Sequence, residues 1–131
     1  MIPKLALDTN AYRAVDDGNA KLSSLVKTVP QIGMPITVLG ELYYGIFLGG
    51  KREKNLSNLN RFLALPRVEL LHIDETTAKL FGEIATLLRQ AGHPIQQDDM
   101  WIAALCKQYG YALATAGKDF DAITGLEIIS F

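Results

Sequence analysis

The sequence predicts an α/β protein, a three-layer α/β/α sandwich around a four- to five-stranded, mostly parallel sheet. Three observations carry that expectation. Short apolar runs of strand length alternate with longer runs of helical periodicity along the whole chain, the pattern of crossover units that set parallel strands side by side and cover both faces with helices. Within the stretch Lys4 to Asn10, the short apolar run before Asp8 shows no alternation, as a strand buried on both faces must. It ends abruptly in Asp8-Thr9-Asn10, which places a carboxylate, a hydroxyl and an amide at the edge where open α/β sheets bind ligands.

Taken in order, Asn10 to Val15 is expected to form a short helix broken by Asp16-Asp17-Gly18, and Asn19 to cap a second one reaching about Lys27. Val29 to Met34 reads as a strand interrupted by Pro30 and Gly33. Pro35-Ile36-Thr37 starts a helix over Val38 to Leu48, with Thr37 as its N-cap and Gly49-Gly50 as its stop. That helix is apolar nearly all round, through Leu39, Leu42, Tyr43, Tyr44, Ile46, Phe47 and Leu48, so part of it is expected to face a partner or another helix. A more polar helix opens at Lys51-Arg52-Glu53-Lys54, repeats Leu56, Leu59, Phe62 and Leu63, and ends before Pro66. Val68 to Ile73 is a strand, and Asp74-Glu75 starts a long helix to Ala91 with Ala78, Phe81, Ile84, Ala85 and Leu88 as its buried stripe. Asp98 to Tyr109 makes another helix that Gly110 terminates, Tyr111 to Thr115 a compact strand, Phe120 to Ile123 a last helical turn, and Glu127 to Ile129 a closing strand.

Residues 1–131 fit one domain, long enough to bury roughly two thirds of the surface its unfolded form exposes. Hydrophobic residues at 49% and charged ones at 21% argue against disorder. Thirteen basic residues against fourteen acidic ones create no overall field toward nucleic acid or membrane, so any such preference has to come from local clusters. A single cysteine, Cys106, excludes an internal disulfide, and His72 and His93 are too far apart for zinc spacing. All three read as structural. No signal-peptide pattern and no apolar run of membrane-spanning length occurs. A cytoplasmic protein with no membrane partner is the expectation.

The chemistry lies in where the acids fall. Asp8 follows the first strand, Glu41 lies early in the helix after the second, Asp98-Asp99 start the helix leading into the fourth, and Asp119 follows the fourth. Singly, each has an ordinary explanation: Glu41 and Asp98 suit helix N-termini and Asp119 can cap the final turn. Together they point to one cleft, where carboxylates about 4 Å apart repel by roughly 4 kcal/mol per pair at an effective dielectric near 20. Such a cluster needs protons or a cation. An all-oxygen set without His or Cys suits Mg²⁺, or Mn²⁺, ions that orient a phosphodiester and activate a water. That is nuclease chemistry.

Asp8-Thr9-Asn10, the run Thr37-Val-Leu-Gly-Glu41-Leu-Tyr-Tyr-Gly45, the run Asp98-Asp99-Met-Trp-Ile-Ala-Ala104, and Leu113-Ala-Thr115 leading to Lys118-Asp119-Phe120 and Gly125-Leu126 resemble, in order over essentially the whole chain, the signature of PIN-domain ribonucleases. Within that group they resemble the VapC toxins of type II toxin–antitoxin systems. The resemblance implies a PIN-like fold and a Mg²⁺-dependent endoribonuclease that cleaves RNA with a metal-activated water and leaves a 5′-phosphate and a 3′-hydroxyl. It also implies a homodimer, held inactive by a VapB-type antitoxin. Carried over by residue, Asp8, Glu41 and Asp99 take the three core metal-binding places, Asp119 is the fourth acid, and Thr115 is the supporting hydroxyl beside Thr9, Asn10 and Asp98. Helical angle alone places Asp98 nearer the Ile102, Leu105, Tyr109 stripe; the Met-Trp-Ile-Ala-Ala that follows sets the register at Asp99. Gly117 stands where relatives often carry an acid.

Lys51, Arg52 and Lys54, with Arg61 and Arg67, form a local basic cluster that reads either as a phosphate-contacting ridge or as a solvated helix face. Tyr43, Tyr44, Phe47 and Leu48 exceed what one core-facing stripe needs and are expected to contact the antitoxin or a second copy. Trp101 is expected to be buried. Two rival readings remain: an inactive PIN-like module that binds RNA or protein, and an aspartate-based phosphatase or receiver domain built on Asp8, Asp74, Thr115 and Lys118. The last lacks the receiver's acidic pair, and Asn10 stands where the phosphatase pattern wants an Asp.

Overall fold

A computed structural model describes residues 2–131. Five strands, β1 (Lys4–Leu7), β2 (Gln31–Pro35), β3 (Val68–Leu71), β4 (Ala112–Thr115) and β5 (Ile128–Ser130), form one sheet in the order β3-β2-β1-β4-β5. Every pairing is parallel. The chain builds outward from β1 through β2 to β3, then returns to the other side of β1 with β4 and β5. The central strands are buried continuously, Leu5 to Leu7 in β1 and Ala112 to Thr115 in β4, which is why their sequences lack alternation.

Six helices connect the strands: α1 (Thr9–Asp16), α2 (Ala20–Thr28), α3 (Ile36–Leu48), α4 (Arg52–Leu63), α5 (Glu75–Gln90) and α6 (Gln97–Tyr109), with a 3-10 turn at Asp119–Ala122. Among the described residues no helix is long and apolar enough to cross a membrane. α6 is the central one. Five consecutive residues, Ile102 to Cys106, are buried, because the helix is wedged between the sheet and α5 and has no solvent face along that stretch. Burial pushes the Cys106 thiol up to about 12, so it stays protonated and inert. Trp101 packs against Phe81 of α5 with ring centroids 4.2 Å apart.

Several boundaries differ from the sequence expectation. Thr37 is not the N-cap of α3: β2 runs into the helix without a loop, Pro35 occupies the cap, and the Thr37 hydroxyl is buried inside the first turn with no partner among the described residues. β2 starts after Pro30, which has no N–H to give a ladder. In α5, Ala78 is exposed and Thr77 is buried instead. Asp74 and Thr77 form a reciprocal capping box, and Gln108 of α6 reaches across to both, donating to the Asp74 carboxylate at 2.8 Å and accepting from the Thr77 hydroxyl. This link fixes the start of α5 against the end of α6.

Gly33 in β2 has a packing reason. A Cβ there would meet the Tyr111 ring at 2.9 Å and the Leu71 side chain at 3.0 Å. The ring lies across the sheet and its hydroxyl donates to Glu69 at 3.0 Å, so it has little room to retreat. Gly33→Ala is expected to destabilise the fold by roughly 1–3 kcal/mol, read as a lower midpoint in urea at unchanged m-value.

Candidate functional site

The order β3-β2-β1-β4-β5 reverses direction between β1 and β4, and outside the carboxyl ends of those two strands lies the crevice that such a reversal opens. Asp8 sits there as the N-cap of α1, its carboxylate accepting from the Ala11 N–H at 2.8 Å. The Thr115 hydroxyl at the end of β4 lies close enough to lower this carboxyl, and it accepts from the Gly117 N–H at 3.0 Å. Thr115 is buried, so its orientation is fixed. From α1, the Thr9 hydroxyl donates to Glu41 of α3 at 2.8 Å, which joins a third element to the site.

Asp8, Thr9, Asn10 and Arg13 from α1 and its cap, Glu41, Tyr44 and Gly45 from α3, and Asp99 and Ile102 from α6 line one cleft of about 510 Å³. Acids separated by up to 91 positions therefore share one rim. Burial raises the Asp8 carboxyl above the ordinary range, against the lowering effect of the hydrogen bonds from Thr115, Ala11 and Asn10. Asp99 is also raised, first by burial and then by the charges of Asp119, Asp8, Asp98 and Glu41. Asp98 points to solvent whereas Asp99 is half-buried, so of the two neighbours it is Asp99 that faces the cleft. Asp119 is displaced from the other acids: it borders an adjoining cleft with His93, Lys118 and Asp121, close enough for its charge to be the largest acting on Asp99.

Among the described residues no three His, Cys, Asp or Glu side chains form a ready-made ion cage. The ligand atoms that do converge are oxygens, from the carboxylates of Asp8, Glu41 and Asp99, the Thr9 hydroxyl and the Asn10 amide, with no His or Cys in the cleft lining. This set fits a small hard cation that keeps several of its waters and takes only one or two direct carboxylate ligands. It does not fit zinc.

Residues 5–126 match the PIN domain family. Over 98 residues the chain is 30% identical to the ribonuclease VapC4 of Mycobacterium tuberculosis, covering 75% of each protein. The chain belongs to the VapC family of PIN-domain proteins. Its fold superposes on DNA-bound VapBC from Salmonella typhimurium with a TM-score of 0.85 and 26% identity, covering 99% of this chain and 98% of that one. It superposes on VapBC2 from Rickettsia felis, bound to a promoter DNA fragment, with a TM-score of 0.81 and 29% identity, covering 97% and 98%.

In this VapC-family chain the remaining residues singled out from the sequence divide sharply. Lys51, Arg52 and Lys54 are exposed at the start of α4 and do not line the acidic cleft. The Arg52 guanidinium lies 4.5 Å from the centre of the Phe47 ring, and Arg67 is spent on structure, donating to the carbonyls of Val26 and Val29. On α3, Tyr44, Phe47 and Leu48 are exposed and Tyr43 stacks on Phe47 at 5.8 Å. Asp74, which a receiver-like site requires, caps α5 and does not line the cleft. Two cleft residues escaped the sequence reading, Arg13 and Gly45. The signal was available: Arg13 lies three residues after Asn10, one helical turn on along the same face.

Proposed function

We propose that the chain is a VapC-type toxin, a Mg²⁺-dependent endoribonuclease restrained by a VapB-type antitoxin. The observation that carries this reading is the meeting of Asp8, Glu41 and Asp99 in one cleft at the edge of the sheet where ligands bind, with the Asp99 carboxyl raised first by burial and then by the surrounding acids. A fold leaves like charges unrelieved at such a place when a cation and an anionic substrate complete it. The name of the VapC4 relative, a ribonuclease, supports the same substrate class.

In this reading Asp8, Asp99 and Glu41, the last oriented by Thr9, would hold the cation, Asp119 would add negative charge from the neighbouring cleft, and Thr115 would steady the Asp8 carboxylate. When bound, Mg²⁺ or Mn²⁺ supplies activation of a water and neutralisation of charge at the scissile phosphodiester. The exposed apolar face of α3 at Phe47 and Leu48 is the surface assigned to the antitoxin. It adjoins Tyr44 at the cleft mouth, so a partner seated there also obstructs substrate entry. A homodimer in the cytoplasm is the form proposed for the toxin.

Purified protein incubated with total RNA in Mg²⁺, followed by end mapping, tests the reading. Discrete cuts bearing 5′-phosphate and 3′-hydroxyl ends, lost in EDTA, are expected. Intact RNA, or 2′,3′-cyclic phosphate ends that persist in EDTA, would remove it.

A further inference from the structure

The cleft that holds Asp8, Glu41 and Asp99 contains two groups that cation binding does not use. Among the described residues, Arg13 is the one cationic side chain lining it and Tyr44 the one aromatic. We propose that these two residues form the strand-holding part of the site, Arg13 pairing with a backbone phosphate beside the scissile one and Tyr44 stacking a base of single-stranded RNA. The inference rests on the ribonuclease reading and names how that site grips its substrate.

Helical spacing explains how one face of α3 serves both tasks. Tyr44 and Gly45 follow Glu41 by three and four residues, so all three point to the same side. Gly45 is a bay for the guanidinium: a Cβ at this position would come within 2.9 Å of Arg13 Nη2. The absent side chain lets Arg13 lie against α3 and border the acidic cleft. A phosphodiester approaching three carboxylates is repelled even after a divalent ion neutralises two of the charges. The Arg13 guanidinium supplies the third, in a planar fork that matches phosphate oxygens.

Tyr44 is 69% exposed although its helix neighbours Leu42 and Ile46 are buried. Its ring contributes little to the core. At the mouth of a cleft otherwise lined mainly by charged and polar groups it offers a flat apolar face, which suits an unpaired base of any identity. Duplex RNA does not present its base faces, so the preferred substrate is single-stranded. Arg13 also borders a neighbouring cavity with Asp16 and Asp17; a role confined to balancing those charges makes a different prediction, a loss of stability without a change in RNA affinity.

The test uses a fluorescein-labelled single-stranded RNA oligonucleotide and the full chain. Binding is followed by anisotropy in EDTA across a salt series, and cleavage in Mg²⁺ is followed separately. Arg13→Gln is expected to weaken binding about tenfold and to flatten the slope of log affinity against log salt by about 0.7, the share of one phosphate contact on a single strand. Arg13→Lys recovers the slope and only part of the affinity. Gly45→Ala, whose added methyl meets only the Arg13 guanidinium, reproduces the Arg13→Gln slope by displacing it. Tyr44→Ala weakens binding at least about fivefold with the slope unchanged, and Tyr44→Phe binds as wild type. Unaltered affinity and slope in Arg13→Gln, with or without a fall in thermal midpoint, overturn the proposal. If RNA is bound with these dependences but never cleaved in Mg²⁺, the strand-holding site stands and the ribonuclease reading falls.

Discussion

Asp8→Asn is expected to lower RNA cleavage by about a hundredfold or more while raising the thermal midpoint at neutral pH. The two effects have one source. In the folded protein burial holds the Asp8 carboxyl above its ordinary value of 3.8, so its charge is carried at a cost to the fold. The stability gained by protonating it is complete below that ordinary value and is lost as pH rises through the higher folded value. At pH 7 the folded state therefore bears the full penalty, and replacing the carboxylate by a neutral amide removes it. The amide oxygen can still accept from the Ala11 N–H, so the cap of α1 survives. A gain of about 1 kcal/mol, or a few degrees, is the expected scale, shrinking to nothing below about pH 3.8. Asp8→Ala separates charge from cap: it loses both and forfeits about 1 kcal/mol of capping. Undiminished cleavage by Asp8→Asn would detach the chemistry from this carboxylate, and a fall in midpoint at pH 7 would mean that the charge is compensated.

The contrast between a destabilising site and a settled core also explains what the sequence disclosed. Asp8 was legible because a charged residue that ends an apolar run has few structural uses, and the sheet type followed from the non-alternating strands on either side of it. Resemblance points to Asp99, whereas helical angle alone favours Asp98. Side-chain direction decides the matter, and that depends on how α6 is wedged against the sheet and α5. The Thr77–Gln108 link was invisible because its partners lie 31 positions apart and neither belongs to a periodic pattern. Thr37 looked like a cap because its residue type suits one; Pro35 displaced it by carrying the strand directly into the helix. Arg13 and Gly45 were missed for a related reason. Helical spacing sets Arg13 on the face of Asn10, but its pairing with Gly45 is mutual, an absent Cβ on one helix making space for a guanidinium from another, and spacing within one helix does not encode that.

Millimolar Mg²⁺ is expected to stabilise the wild-type protein far more than NaCl of equal ionic strength, and Asp99→Asn is expected to abolish the difference. A cation that binds the folded state and not the unfolded chain contributes about 2.7 kcal/mol when present at a hundred times its dissociation constant. For a chain of this size that is roughly a 10 °C rise in midpoint. Asp99 is the place to look because its carboxyl is raised by burial and by Asp119, Asp8, Asp98 and Glu41 together; a divalent ion there relieves several repulsions at once. Without Mg²⁺, Asp99→Asn should itself be more stable than wild type at pH 7, since it removes a charge that four others oppose. Protons compete for the same oxygens, so the Mg²⁺ effect should fade as pH drops through the raised values of Asp8 and Asp99, while ordinary surface carboxylates remain ionised. A scan of thermal midpoint against Mg²⁺ at a series of pH values from 7.5 downward reads both dependences. If NaCl matches Mg²⁺ in wild type, or if Asp99→Asn keeps the full Mg²⁺ gain, the acids form a screened surface and do not bind a divalent ion.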